Sequence, residues 1–201
     1  WSENSRHNIR GSRKLLPGWS RSLETSGIGA KLVDLGNSCL ESHHYSDKIQ
    51  TIEYRSPEVV LGAGYSTSAD IWSLACTLFE LITGEYLFDP QEGTSKNGQA
   101  CYTREEDLLA HHQELLGVFD TAFSLSGKHS NDMFNANGSM KHISDLRFWS
   151  LLEVLTQKYA WEQDRAEELV SFLAPMLQAD PSKRATAAEM LEHPWLDEVR
   201  G

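Results

Sequence analysis

Apolar residues occupy Ile71, Trp72, Leu74, Ala75, Leu78, Phe79, Leu81 and Ile82 within the run ADIWSLACTLFELIT, residues 69–83. They fall on nearly every face of a 3.6-residue period, and a helix apolar all round belongs in an interior. The pattern predicts a central buried helix, stopped by Gly84, since glycine takes the left-handed cap conformation without a Cβ clash. Thr103-Arg104-Glu105-Glu106 has the spacing of a capping box, so a helix is expected from Arg104 to Leu116, ended by Gly117. Amphipathic helical spacing recurs at Leu146, Trp149, Leu152, Val154, Leu155 and Tyr159, and again at Leu169, Val170, Phe172, Leu173, Met176 and Leu177. Thr186-Ala187-Ala188-Glu189 repeats the capping box before a short last helix ending near His193-Pro194-Trp195. After Gly64 the chain reads as almost entirely helical.

Before Gly64 the pattern changes. Lys31-Leu32-Val33 is a short strand candidate, and the stretch from there to about Gly64 has turn residues and Pro57 without helical periodicity. It reads as one long functional loop. Residues 1–28 mix Ser, Arg, Asn and Gly with few apolar positions, the composition of a disordered linker tail, which leaves 29–198 as the folded domain. Residues 85–102 form a Gly-, Ser- and Asn-rich insertion around Tyr86-Leu87-Phe88.

Composition narrows the partners. In 201 residues, 40% hydrophobic content suffices for one sizeable core, and a net charge of -11 argues against a nucleic-acid surface and for a basic partner such as a peptide. Cys39, Cys76 and Cys101 lack a CxxC spacing, so neither a disulfide framework nor a zinc ribbon is indicated, and a reducing compartment fits. No apolar run reaches the roughly 18 residues of a membrane span. The pairs His43-His44 and His111-His112 have no accompanying metal-ligand pattern and read as surface or core residues.

Four short pieces then occur in order: Asp34-Leu35-Gly36, Tyr54-Arg55-Ser56-Pro57-Glu58, Asp70-Ile71-Trp72, and Asp180-Pro181-Ser182-Lys183-Arg184-Ala185-Thr186. Each is weak alone, and an isolated Asp-x-Gly is ordinarily just a turn. In this order the chain resembles, over about residues 30–197, the C-terminal lobe of a protein kinase, the first two pieces matching the DFG and APE ends of the activation segment. The stretches DLGNSC, IQTIEYRSPEVVLGAGYSTSADIWSLACTLFELITGEYLFDP, YTREEDLLAHHQELLG and RATAAEMLEHPWL resemble the SR-protein kinases, which phosphorylate Arg/Ser-repeat splicing factors. The resemblance implies a mainly α fold, the large kinase lobe, with a short strand before the Asp-Leu-Gly and no N-terminal lobe. Residues 1–28 would be the tail of the spacer that splits kinase domains of this family.

The resemblance also implies roles. Asp34 would bind the Mg²⁺ that bridges the ATP phosphates, on a turn that Gly36 permits. Arg55, Ser56 and Pro57 lie where kinases build the pocket for the residue after the phosphorylated one. Glu58 and Arg184 resemble the buried ion pair that anchors the activation segment, and Trp72 sits in the structural helix with Asp70. On so apolar a helix Asp70 needs hydrogen-bond donors, which kinases supply from the catalytic loop, although a first-turn Asp also complements the helix dipole. Asp107 and Glu114 share one face of the helix opened by Thr103. With Glu85 and Lys158 they fall on the positions by which this family docks an Arg-rich segment, the alternative being a merely solvated acidic face. The 91–102 stretch is longer than the family usually carries.

Several kinase parts are absent from the sequence. None of the eight histidines has Asp two positions on, so the catalytic base and second metal ligand are missing, as are a Gly-rich phosphate loop and a VAIK-like lysine. The expectation is the second half of an ATP- and Mg²⁺-dependent Ser/Thr kinase of Arg/Ser-rich proteins, monomeric, shared between cytoplasm and nucleus, and inactive as these residues alone. The alternatives are a non-catalytic docking or scaffold module that binds basic peptides, and an unrelated helical interaction domain.

Overall fold

This computed structural model describes residues 30–94 and 100–197, in two units, Trp1–Cys39 and Leu40–Gly201. The tail expected over residues 1–28 lies outside the described residues. In the first unit the regular element is a 3₁₀ turn, Leu35–Asn37. The expected strand at residues 31–33 does not form: Leu32 and Val33 are 89% and 74% exposed and have no ladder partner among the described residues. A strand exists by satisfying its amides and carbonyls on a neighbour, and three apolar-leaning residues do not provide one.

The second unit begins with a 3₁₀ turn, Ile52–Tyr54, followed by α1 (Pro57–Leu61) and α2 (Ser68–Thr83). An antiparallel hairpin, β1 (Gly93–Thr94) and β2 (Ala100–Tyr102), precedes α3 (Arg104–Leu116). Then come α4 (Thr121–Ser124), α5 (Ser130–Met133), α6 (Leu151–Glu153), α7 (Gln163–Met176), α8 (Ala187–Leu191) and a last 3₁₀ turn, Pro194–Leu196. No helix among the described residues is long and apolar enough to cross a membrane.

α2 organises this unit. Ala69, Ile71, Trp72, Ala75, Cys76 and Phe79 are its buried residues, and all but Ala69 join a core with Phe88, Leu108, Leu109, Leu155, Leu169 and Leu173. Each large apolar side chain so buried contributes about 1.5–3 kcal/mol. The helix is not buried all round, however, because Leu74 is 47% and Leu81 74% exposed. Periodicity reports which faces are apolar, and coverage is a separate matter of what packs on them. Gly84 caps the helix at φ 81°, its amide donating to the Glu80 carbonyl.

α3 has the expected bounds because its box closes. The Glu106 amide donates to Thr103 Oγ1 at 3.2 Å and the Thr103 amide to Glu106 Oε2 at 3.1 Å. The same buried carboxylate reaches His142 Nδ1 at 2.5 Å, tying the helix to the long connection beyond it.

That connection is where the almost entirely helical expectation fails. Between α3 and α6 only the single turns α4 and α5 are helical, and Phe119, Phe134 and Met140 are buried from irregular chain. The amphipathic helix expected from Leu146 starts instead at Leu151, behind a capping box made by Ser150 and Glu153, and widens into a π-helical turn at Val154–Lys158. Residues 147–149 are held extended against α3: the Arg147 amide donates to Glu114 Oε1 at 2.9 Å and the Trp149 amide to the Glu114 carbonyl at 2.9 Å.

Candidate functional site

Asp34 opens its turn in the left-handed conformation, φ 61° and ψ 44°. An L-residue there costs roughly 1–2 kcal/mol, least for Asp and Asn. The turn is closed by Ser38, whose amide and hydroxyl both donate to the Leu35 carbonyl, at 3.0 and 2.7 Å. Gly36 is not the residue that permits it, since Gly36 does not take a positive φ and a Cβ there would meet nothing within 4 Å. The strain sits on Asp34 itself. Its carboxylate is exposed and accepts a long 3.5 Å bond from Asn37 Nδ2. An exposed hard-oxygen donor with spare lone pairs fits a magnesium ion, which takes one or two protein carboxylates and fills its other positions with phosphate and water.

The 49–58 segment in the second unit is held by a residue that motif reading passed over. Gln50, at φ 65°, uses every hydrogen-bonding capacity of its side chain. Its Oε1 accepts from the Ser56 amide at 2.9 Å and the Ser56 hydroxyl at 3.2 Å. Its Nε2 donates to the Ala69 carbonyl and to Ser73 Oγ, both at 2.8 Å. Arg55 returns on the same turn, Nε donating to the Ile49 carbonyl at 3.0 Å and Nη2 to the Gln50 carbonyl at 2.9 Å. Arg55, Ser56 and Pro57 are therefore buried, their polar atoms spent on holding the turn, and any pocket they shape is shaped from behind. No spacing or charge signal in the sequence marks a lone glutamine for this task.

Side chains within the segment fasten it to neighbouring helices. Tyr54 donates its hydroxyl to Glu80 Oε2 at 2.5 Å, which pushes the phenol well above its ordinary range, while its carbonyl accepts from Ser73 Oγ. Arg104 at the start of α3 pairs with Glu53 at 3.0 Å, and Glu105 lies 3.6 Å from Arg55.

Glu58 and Arg184 close the segment against the body of the unit. Arg184 Nη1 and Nη2 donate to Glu58 Oε1 and Oε2 at 2.7 and 2.8 Å, and both side chains are 0% exposed. The remaining donors go to the carbonyls of Ser68, Gln178 and Ala179, and the guanidinium lies 5.0 Å from the Trp72 ring. All five guanidinium donors are thus satisfied, the condition on which a buried ion pair avoids a net desolvation cost. Trp72 is fully buried, and its Nε1 has no hydrogen-bond partner among the described residues. Asp70 is exposed on the first turn of α2, where it complements the helix dipole. The buried setting expected for it is not provided by this chain.

The four docking candidates are distributed as follows. Lys158 Nζ pairs with Glu85 Oε2 at 2.7 Å, holding that carboxyl below its usual value, and Tyr159 also donates to Glu85, at 3.1 Å. Asp107 and Glu114 lie half-buried on α3. Asp107 Oδ2 accepts the Gln91 amide at 2.8 Å, pinning the chain just before β1, and Glu114 Oε1 takes the Arg147 amide. Both carboxylates keep a second oxygen. Asp107 has a further neighbour one turn on, His111, with Nε2 at 3.6 Å from Oδ2.

The family model described as protein kinase domain matches residues 23–196. The chain is 49% identical over 174 residues to Serine/threonine-protein kinase SKY1 of Saccharomyces cerevisiae, covering 87% of this chain and 23% of that protein. It is 48% identical over 170 residues to SRSF protein kinase 3 of Homo sapiens, covering 85% and 29%. To Protein kinase dsk1 of Schizosaccharomyces pombe it is 47% identical over 172 residues, covering 86% and 30%. The chain spans less than a third of the length of each of these curated relatives.

Proposed function

The chain belongs to the protein kinase family, among the SR-protein kinases, and on that premise we propose that it supplies the metal-binding Asp, the activation segment and the helical lobe of a Ser/Thr kinase that phosphorylates Arg/Ser-rich proteins. The observation that carries this reading is the Glu58–Arg184 pair, which fixes the far end of the segment that Asp34 begins. In it, Asp34 would hold Mg²⁺, whose chemistry there would be to offset charge on the phosphoryl group being transferred. Gln50 and Arg55 set the backbone on which the substrate residue after the target serine rests. Glu85, Asp107, Glu114 and Lys158 hold an Arg-rich segment, the planar guanidinium forks pairing with carboxylates.

We also propose that this chain alone is inactive. It lacks a His-x-Asp base and a phosphate-binding lysine, and losing a general base by itself costs about 10²–10⁴-fold. The test is a chimera: the yeast relative with its corresponding segment replaced by residues 30–197 should phosphorylate an Arg/Ser peptide, and Asp34→Ala in that chimera should not. Residues 1–201 by themselves should incorporate no phosphate. Chimera activity that survives Asp34→Ala, or activity of the isolated chain, would refute the assignment. If the chimera binds the peptide without phosphorylating it, the docking-module reading replaces the enzyme.

A further inference from the structure

Asp107, His111 and Glu114 stand at i, i+4 and i+7 on α3, so an imidazole lies between the two carboxylates of the proposed docking strip. His111 Nε2 is 3.6 Å from Asp107 Oδ2, with the two side chains 21% and 14% exposed. Among the described residues Asp107 Oδ1 accepts nothing, so it is the oxygen left for an incoming guanidinium.

Among the described residues, His111 is the side chain beside this carboxylate that can carry a positive charge. Asp107 is faced by the Gln91 amide, from the chain just before β1, and by Tyr102 of β2, whose phenol is pushed up by burial and then by the Asp107 charge, so it stays neutral. The neighbouring His112 is buried between Trp72 and Phe88 and held neutral by that burial. At Glu114 the group that reaches in is the Arg147 amide, its guanidinium lying 3.9 Å from Asp145.

We propose that His111 is a built-in competitor for the Arg-rich ligand. Protonated, it pairs with Asp107 and repels a second cation there; neutral, it leaves the carboxylate to a substrate arginine. Docking therefore strengthens from mildly acidic to alkaline pH, the range over which an imidazole changes charge. The inference rests on the docking reading of the strip.

The experiment measures binding of a fluorescent unphosphorylated Arg-Ser repeat peptide to the full 201-residue chain at pH about 5.5 and about 8, since its guanidinium groups do not titrate in that range. The wild type should bind about two- to fivefold more weakly at the lower pH, the size of a partly exposed ion pair. His111→Leu should bind at both values as the wild type does at pH about 8, and His111→Lys should bind weakly at both. A folding defect would weaken both variants alike, and that outcome overturns the proposal. If Asp107→Asn weakens binding but His111→Leu retains the wild-type pH dependence, the competitor is wrong and the docking strip stands. If Asp107→Asn changes nothing, the strip itself fails.

Discussion

Replacing Glu58 by Gln removes one charge from a place where water cannot compensate. Glu58 and Arg184 are both 0% exposed, joined by two bonds of 2.7 and 2.8 Å, with the guanidinium against Trp72. The glutamine oxygen replaces one acceptor, but its NH₂ then faces a guanidinium N–H, donor against donor. Arg184 is left as a buried uncompensated cation, a change that costs about 3–5 kcal/mol. That is a large part of the roughly 5–15 kcal/mol by which a domain is stable. At about 2–4 °C per kcal/mol for this size, the melting temperature should fall by about 6–20 °C. Urea unfolding followed by tryptophan fluorescence, with thermal scans alongside, reads both quantities. The double variant Glu58→Met with Arg184→Met should recover much of the loss, because removing both charges removes the desolvation problem. A single variant within about 1 kcal/mol of the wild type, or a double variant no better than the single, would refute the reasoning.

Three further outcomes follow from the described geometry. Gln50→Ala strands the Ser56 amide in the interior, and should cost about 1–3 kcal/mol and raise hydrogen exchange at Ser56, while exchange in α3 stays unchanged. Ala160→Gly should stabilise by about 1 kcal/mol, because Ala160 holds φ 54°, a conformation an alanine Cβ resists; a lower melting temperature would contradict this. His112 is kept neutral by burial, its value well below the usual one, whereas in the unfolded chain it takes up a proton near pH 6.5. Below about pH 6.5 the unfolded state therefore binds more protons, so the stability present above that pH is lost progressively as pH falls toward the folded-state value. Melting scans from pH about 8 to about 5 should show His112→Leu losing less than the wild type, and parallel curves would exclude this source.

The sequence announced elements whose signals are local. Thr103, Glu106 and Gly117 bound α3 because a capping box and a glycine stop act within a turn of the residues they govern. α1 was hidden for a related reason: Pro57 looked like a breaker, yet at the first helical position proline loses an amide that would have been orphaned anyway. The apolar period at Leu146 and Trp149 was real but described packing rather than helix, since those residues reach the core from chain pinned to Glu114. Glu58 and Arg184 could be paired in advance because their motifs have a known order. Gln50 could not, for its three partner residues lie at distances of 6, 19 and 23 residues and a glutamine gives no pattern of its own. Where Leu74 and Leu81 meet solvent, the sequence described a need for cover that the described residues do not meet.

The Glu58–Arg184 pair also has a consequence in time. Its partners are separated by 126 residues, so during synthesis at about 5–20 residues per second Glu58 is made about 6–25 s before Arg184. Helix–coil relaxation takes about a microsecond, so α2 and α3 have ample opportunity to form on the growing chain during that interval. The 49–58 segment has Gln50, Ser73 and Arg104 to hold it early, but its closing latch arrives almost last. A nascent chain that stalls between the end of α7 and residue 184 would carry most of its helices with that segment still unlatched, its carboxylate hydrated and its neighbouring apolar side chains open to proteases and chaperones.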